Sequence, residues 1–234
     1  MIARKRDSPA STGVGCLNQS GTRCSICGPL SKRYIVAVDA CVSDWLADTS
    51  RGRAESFDRL HPDCECEKHS FCGNATALAT TEIVARIITT PGTFDETAQE
   101  IIWSKLVRLY TDGLSMFRSG CTEAEVREAV RRLTTTGAEP QQLFGVALAS
   151  VGTIRAAGSP ERWFCVYDTE ASEFSAHADV IGRWPQAVSK NQRAKLRESR
   201  TRNLRNRLGR WIVRASTAGE LIDSLQGQGF VVLP

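Results

Sequence analysis

Six stretches of the chain place apolar residues at helical spacing. Apolar positions recur there every three or four residues, which is the spacing of a helix with one face turned towards a core. The predicted helices cover approximately residues 33–48, 75–90, 95–112, 122–137, 189–214 and 217–227. Three of them begin with a hydroxyl residue three positions before a Glu or Gln, a helix start signal: Thr122 with Glu125, Ser189 with Gln192, and Thr217 with Glu220.

In the second half of the chain the pattern changes to short continuous apolar runs. Residues 143–149, 163–167, 176–181 and 230–233 are runs of this kind, and turn residues bound them, as is typical of buried strands. Helices followed by a strand-rich half with interleaved helices indicate an α+β fold. We therefore expect a helical segment first and the strands after it.

Composition divides the chain into three predicted parts. Residues 1–22 begin with a basic run and are rich in small polar residues, so we expect a flexible basic arm. Residues 23–74 form a Cys/His-rich module, and residues 75–234 are predicted to form the α+β domain. With 234 residues, of which 41% are hydrophobic, the chain is long enough to build a core without relying on a metal.

The expected location is the cytoplasm. No apolar run approaches the roughly 20 residues that a membrane-spanning helix needs. The basic start of the chain is not followed by the apolar stretch of a signal peptide. We therefore expect reduced thiols and no contact with a membrane.

Positive charge is concentrated near the end of the chain. Eleven Lys or Arg residues and one acid lie between Arg183 and Arg214, so this segment has a net charge of +10. The whole chain has a net charge of +4, so the rest of the chain has a net charge of −6. Arginine dominates, and its planar guanidinium suits phosphate oxygens better than an ammonium does. We predict that the basic helix 189–214 contacts nucleic acid or an acidic protein partner through eight residues: Arg193, Lys195, Arg197, Arg200, Arg202, Arg205, Arg207 and Arg210.

Two other interpretations of the basic helix stay open. One is a helix face that only meets solvent, which is the usual fate of charged runs. The other is a helix whose acidic partner is the remainder of this same chain. Exposed helices normally mix charges of both signs, because an acid one turn before a base helps to hold the helix, and this segment has almost no acids.

Seven residues of the module have the types and the spacing of a zinc site: Cys24, Cys27, His61, Cys64, Cys66, His69 and Cys72. Two intervening residues let a turn point both thiolates of a Cys-x2-Cys pair at one ion. Clustering around two histidines, and an odd total of nine cysteines, favour a metal over disulfides. Because four such ligands close the coordination shell, we predict a structural zinc that joins the Cys24 turn to the segment from Cys64 to Cys72. The number of ions stays open, since Cys41 could supply an eighth ligand to a second tetrahedron.

A second candidate for chemistry is His177 with Asp168 and Asp179. In a strand over residues 176–181, His177 and Asp179 point to the same face because strand side chains alternate. Asp168, at the end of the preceding strand, is expected to meet them across a hairpin. An imidazole beside carboxylates can act as a general base, so this trio predicts a hydrolase or nuclease, and it could also hold a hard metal ion. The alternative is a packed, hydrogen-bonded histidine.

One further thiol stands beside a helix start. Cys121 directly precedes the cap residue Thr122, where the amides of the helix terminus are expected to lower the pKa of the thiol. Nothing near it in sequence makes it a nucleophile, so we interpret it as a packing residue.

The cysteine pattern is similar to one in Mu-type phage head-morphogenesis proteins. It consists of Cys-x2-Cys followed at a distance by His-Pro-x-Cys-x-Cys, here Cys24, Cys27, His61, Cys64 and Cys66. Those proteins usually place a long helical region before the motif, whereas some 20 residues precede it here. The resemblance implies a phage structural or head-morphogenesis protein.

The predicted function is that of a zinc-stabilised, non-catalytic accessory protein of a bacterial complex, such as a defence or mobile-element system. The basic helix would contact nucleic acid or an acidic partner. The hydrolase at His177 and the phage structural protein are the alternatives.

Overall fold

A computed structural model describes residues 41, 44–45, 47–61, 77–136, 139–169, 174–185 and 188–234. The predicted arm 1–22 lies outside these residues, as do all the predicted zinc ligands except His61. The strands are β1 Ile83–Thr90, β2 Phe94–Asp95, β3 Glu100–Ile101, β4 Leu114–Arg118, β5 Cys121–Thr122, β6 Gln142–Ser150, β7 Phe164–Asp168, β8 His177–Gly182, β9 Ile212–Arg214 and β10 Val232–Leu233. The helices are α1 Arg53–Leu60, α2 Glu123–Thr135, α3 Val151–Arg155, α4 Lys190–Leu208 and α5 Ala218–Gly227, with a 3-10 helix at Trp103–Tyr110.

The described residues form a mixed α+β fold around a six-stranded antiparallel sheet. The strand order is β7-β8-β4-β1-β6-β9, and each neighbouring pair runs antiparallel. Two small pairs lie outside this sheet: the β2–β3 hairpin and the parallel pair of β5 with β10. β1 lies inside the sheet and pairs with β6 along its whole length.

One face of the sheet packs against α4, α3 and the 3-10 helix. Val84, Ile88 and Leu114 of the strands share a core with Leu204 and Leu208 of α4, and all five are at most 1% exposed. Burying a Leu or Ile side chain of this kind stabilises the fold by about 1.5–3 kcal/mol. This core fixes α4 on the sheet.

The opposite face of the sheet is covered in two places. Over β1 and β6, α2 and α5 contribute buried apolar residues such as Val126 and Leu221. Over β7 and β8, α1 contributes Phe57, whose ring meets the Tyr167 ring edge-on with centroids 5.4 Å apart. The described part of the predicted metal module therefore contacts the sheet.

The predicted start signals are confirmed by the structure. Thr122 and Ser189 each form a complete capping box with the residue three positions later, and Thr217 accepts a hydrogen bond from the backbone of Glu220. The predicted strands correspond to β6, β7, β8 and β10. Of the predicted helix 33–48, the structure describes residues 41, 44, 45, 47 and 48, and all of them except Asp48 are helical.

The helix predicted over residues 75–90 is wrong, because residues 83–90 form strand β1. The spacing of Val84, Ile87 and Ile88 resembles a helix stripe. In the strand, Val84 and Ile88 belong to the core beneath α4, and Ile87 belongs to the core of the opposite face. Six of the eight residues of β1 are β-branched, which favours a strand packed on both faces.

Three other boundaries also differ from the prediction. The helix predicted from Asp95 is the β2–β3 hairpin followed by the 3-10 helix. Strand β4 was not predicted, so strands do not follow the helices but are mixed with them. The basic helix ends at Leu208, and residues 212–214 form strand β9. Among the described residues, no helix is long and apolar enough to cross a membrane.

Candidate functional site

The basic helix α4 is anchored at its start and along one side. Ser189 accepts a hydrogen bond from the Gln192 amide, and the Gln192 side chain accepts one from the Ser189 amide at 3.1 Å. Leu204, Leu208 and Thr201 are fully buried. These contacts fix which side chains of α4 face the protein and which face solvent.

Four of the eight predicted nucleic-acid-binding residues contact other elements of the protein. The contacts are Arg193 with Glu55 (2.9 Å), Arg200 with Glu161 (3.2 Å), Arg205 with Glu100 (2.7 Å) and Arg207 with the carbonyl of Thr153 (2.9 Å). Arg200 is the most buried of them, at 3% exposure, and it also donates to the carbonyl of Arg183 at 2.6 Å. These four arginines therefore have their partners within the same chain, as one of the open interpretations of the basic helix proposed.

The other four residues, Lys195, Arg197, Arg202 and Arg210, are exposed. The side chains of Lys195, Arg197 and Arg210 make no hydrogen bond or ion pair with any residue that the structure describes. Arg202 pairs with Glu198 inside the helix at 3.0 Å and remains 44% exposed. Steps of three and four residues align Lys195, Ser199, Arg202 and Asn206 on the solvent side of α4, and Arg210 follows the end of the helix. We call these five residues the outer stripe.

Three tryptophans lie beside α4 and form cation–π contacts with three of its arginines. The guanidinium carbons lie over the indole rings at centroid distances of 4.7 Å for Arg202 and Trp103, 5.1 Å for Arg200 and Trp163, and 5.6 Å for Arg193 and Trp184. Cation–π contacts of this kind contribute about 0.5–2 kcal/mol each, depending on burial. Trp184 also stacks on Tyr110 with centroids 4.3 Å apart, and burial raises the pKa of the Tyr110 phenol, which stays neutral.

A buried ion pair joins α1 to the segment between β8 and α4. Nε of Arg183 lies 2.9 Å from Oδ1 of Asp58, and both residues are at most 6% exposed. The Trp184 amide donates to the other Asp58 oxygen at 3.1 Å, and Arg183 donates to the carbonyl of His61 at 2.9 Å. We call these four residues the clasp. It holds the end of α1, inside the predicted metal module, against the segment that precedes the basic helix.

The structure brings together two members of the predicted catalytic trio and separates the third. His177 and Asp179 share a face of β8, with Nδ1 and Oδ2 3.8 Å apart. Asp168 pairs in register with Ala178, so its side chain lies on the opposite face of the sheet. There it is fully buried and forms an ion pair with Arg118 at 3.0 Å. Asp168 therefore does not meet the other two.

Thr169 bridges His177 and Asp179. Its hydroxyl donates to Oδ2 of Asp179 at 2.9 Å and lies 2.9 Å from Nδ1 of His177. Because the hydroxyl gives its one hydrogen to the carboxylate, it accepts from the imidazole, and Nε2 is left as the basic nitrogen of the ring. The arrangement orients His177 as a general base requires, while its side chain is 14% exposed.

The Asp179 carboxylate is held from several other sides. Arg53 lies 3.5 Å from Oδ2, and Ser115 donates to Oδ1 at 3.5 Å. Gly113 makes the turn into β4 with φ +89°, and a Cβ there would lie 2.9 Å from Oδ1. The turn therefore needs glycine both for its backbone conformation and for the space beside Asp179.

His61 is the one predicted zinc ligand among the described residues. Its Nε2 lies 2.8 Å from Oδ2 of Asp44, and its ring centroid is 5.3 Å from that of Phe57. The described part of the chain contains no group of three or more His, Cys, Asp or Glu side chains arranged to hold a metal. The other six predicted ligands lie outside it, so the zinc site stays a prediction.

The expected pKa of Cys121 is wrong in direction. Burial, helped by the nearby Glu125 carboxylate, raises the pKa of the thiol to about 12. The side chain is fully buried in the core between the sheet, α2 and α5. Desolvation of the thiolate outweighs the helix terminus. The interpretation of Cys121 as a packing residue agrees with this position.

The residues that sequence reasoning missed are Asp58, Arg183 and Trp184 of the clasp, and Thr169. Asp58 and Arg183 are 125 positions apart, so no local pattern links them. A weak signal for Arg183 is its place directly after a buried strand, where an unpaired charge would be costly. Thr169 lies next to Asp168 in the chain. The sequence analysis chose Asp168 as the partner of His177, whereas in the structure Thr169 contacts His177 and Asp168 lies on the opposite face of the sheet.

The chain matches no model of a protein family, no curated protein and no solved structure. Function is therefore inferred from its own side chains.

Proposed function

We propose that the protein binds nucleic acid through the outer stripe of α4, as a non-catalytic accessory component of a larger bacterial complex. The observation that supports this most directly is the row of exposed cations, Lys195, Arg202 and Arg210, along a helix that contains one acid. Each phosphate that such a cation neutralises releases counterions, which gives affinity without a sequence preference.

Helix α2 of the same protein is also rich in exposed arginines and serves as a comparison for α4. On α2, Arg127, Arg131 and Arg132 each pair with Glu123 or Glu128 at 2.7–3.2 Å. These pairs satisfy the guanidinium groups within the helix. In the outer stripe of α4, only Arg202 has such a partner. The contrast favours an external anionic partner for α4.

The test compares two triple variants that lose the same charge. One carries Lys195→Ala, Arg202→Ala and Arg210→Ala, and the other carries Arg127→Ala, Arg131→Ala and Arg132→Ala on the opposite face of the sheet. We expect the first to bind labelled oligonucleotides more weakly and to reduce the slope of log K against log salt by about 2–3, as about one unit per lost phosphate contact requires. The second should bind like the wild type.

Two results would contradict the proposal. Equal loss in both variants would show that net charge alone attracts the nucleic acid. Co-purification of a stoichiometric acidic protein, with no nucleic acid retained by the wild type, would replace nucleic acid by a protein partner and favour the scaffold or phage structural role.

A structural zinc in residues 23–74 is part of the proposal. The ligand set is rich in cysteine, which suits a closed tetrahedral site and not a catalytic one. Elemental analysis of the purified protein tests it directly, and a zinc content below one ion per chain after purification without chelator would end it.

Hydrolysis at His177 is the second candidate, favoured by the Thr169 bridge to Asp179. It predicts cleavage of an oligonucleotide or ester substrate that His177→Ala abolishes while binding through α4 persists. Any cleavage that survives in His177→Ala would come from elsewhere and would remove His177 from the reaction.

A further inference from the structure

Neighbouring elements lie against both flanks of α4. Arg205 and Arg207 are two positions apart and therefore point about 200° apart around the helix. Arg205 donates to Glu100 of β3 at 2.7 Å, and Arg207 donates to the carbonyl of Thr153 in α3 at 2.9 Å. Both flanks of the helix are thus occupied, and the outer stripe between them faces solvent.

A helix enclosed in this way does not fit the major groove of a DNA duplex. The groove is about 12 Å wide and admits roughly one helix, whose own diameter with side chains is about 10–12 Å. With β3 and α3 alongside at Arg205 and Arg207, the last turns of α4 are hindered from entering the groove to the depth of the base edges. The helix presents a surface on which a nucleic acid strand can lie.

That surface includes a cation–π pair. Arg202 of the outer stripe lies 4.7 Å from the centroid of Trp103, its side chain is 44% exposed, and Trp103 is half-buried. Unpaired bases stack on aromatic rings and on guanidinium planes. The equivalent pair of Arg200 with Trp163 has a structural role, since Arg200 is 3% exposed.

We infer that the ligand of α4 is single-stranded nucleic acid, one base of which stacks on the Trp103–Arg202 pair while Lys195 and Arg210 contact the backbone. This rests on the proposed function and specifies the form of nucleic acid for the same surface. In a duplex the faces of the bases are covered by their neighbours, whereas a single strand exposes them to an aromatic platform.

The experiment measures fluorescence anisotropy with three labelled probes: a DNA strand, an RNA strand of the same sequence, and the matching DNA duplex. We expect the wild type to bind single strands more tightly than the duplex. Trp103→Ala should weaken single-strand binding about 5- to 150-fold, the usual range for one stacked base, and leave duplex binding unchanged. The ratio of RNA to DNA affinity identifies the strand that is preferred.

Arg202→Lys separates stacking from charge, because it keeps the cation and removes the plane. Its single-strand affinity should fall with the salt slope unchanged, and Trp103→Phe should retain part of the affinity that Trp103→Ala loses, which rules out a folding defect. Wild-type affinity in Arg202→Lys, or duplex bound as tightly as single strand, would overturn the inference and leave the proposed function standing. No salt-dependent binding of any probe would overturn both.

Discussion

The Cys121 side chain has no surface exposed to solvent. Cys121 lies beside a helix start, where a thiol would become acidic, yet the core between the sheet and α2 raises its pKa to about 12. The position of Cys121 beside a helix start predicts a lowered pKa, but its burial raises the pKa instead.

Cys121 should therefore resist thiol reagents in the folded protein. At neutral pH we expect Cys121 to be labelled by a maleimide only after denaturation, because a buried thiol with a raised pKa offers almost no thiolate. Peptide mass spectrometry before and after urea treatment measures this. Rapid native labelling of Cys121 would contradict the buried position.

Glu125 should make stability depend on acid pH. Burial alone would raise the pKa of this carboxyl, but hydrogen bonds from Thr122 and Ser175 outweigh it and lower the pKa below the usual 4.5. The stabilisation is therefore complete above about pH 4.5 and is lost as pH falls through the lowered value.

Glu125→Gln should destabilise the protein by about 1–2 kcal/mol at pH 7, as loss of a charged cap acceptor does. The difference from the wild type should shrink below pH 4.5. Urea unfolding at several pH values measures it, with Glu96→Gln, an exposed acid after β2, as the control. A difference that is constant down to low pH would contradict the role of the ionised carboxylate.

At the scale of elements, the clasp connects α1, β8 and α4. Asp58 receives the Arg183 side chain and the Trp184 amide, and Arg183 in turn holds the carbonyl of His61. An ion pair in such a place adds little stability over apolar residues, but removing one partner leaves the other buried and uncompensated.

Asp58→Ala should therefore cost about 3–5 kcal/mol of unfolding free energy. Asp58→Asn keeps an acceptor for the Trp184 amide and should cost less. Chemical denaturation gives both values, and Arg59→Ala, an exposed change on the same helix, is the control. If Asp58→Ala were no worse than Arg59→Ala, α1 would not depend on the clasp.

Elements with local signals were predictable from sequence, and elements set by tertiary contacts were not. The capping residues Thr122 and Ser189 mark α2 and α4 because their hydrogen bonds lie within four residues. β1 was mistaken for a helix because its strand identity comes from pairing with β6, which is some 60 positions later. For the site, the basic helix was predicted, but the division of its arginines depends on acids that are distant in sequence, such as Glu55 and Glu100.

At the scale of the whole molecule, charge is distributed unevenly. The segment from Arg183 to Arg214 has a net charge of +10 and the rest of the chain has a net charge of −6, which gives the total of +4. Part of that positive charge is neutralised internally by acids of α1, β3 and the segment before β7. What remains includes the exposed cations of the outer stripe, so the side of the molecule that carries α4 is expected to attract polyanions.

The proposed zinc should stabilise the beginning of the chain without holding the sheet. We expect Cys24→Ser or Cys66→Ser to make residues 20–40 and 62–75 sensitive to protease, since metal binding and local folding are coupled. Residues 53–61 should stay protected by Phe57 and the clasp, and the fragment after residue 80 should stay intact. Limited proteolysis with mass mapping decides it. Cleavage spread evenly over the chain would contradict the division, and unchanged cleavage would contradict the metal site.

The clasp also sets an order of events during synthesis. Asp58 leaves the ribosome long before Arg183 and α4 exist, and at about 5–20 residues per second the delay is roughly 6–25 s. During that time Phe57 has the earlier residues of its core, such as Trp45, but lacks Tyr167 and the other residues that β7 and β8 contribute. The side of Phe57 that faces the sheet in the folded protein therefore stays uncovered until β7 and β8 have been made, so α1 is the segment that a ribosome-associated chaperone would be expected to protect.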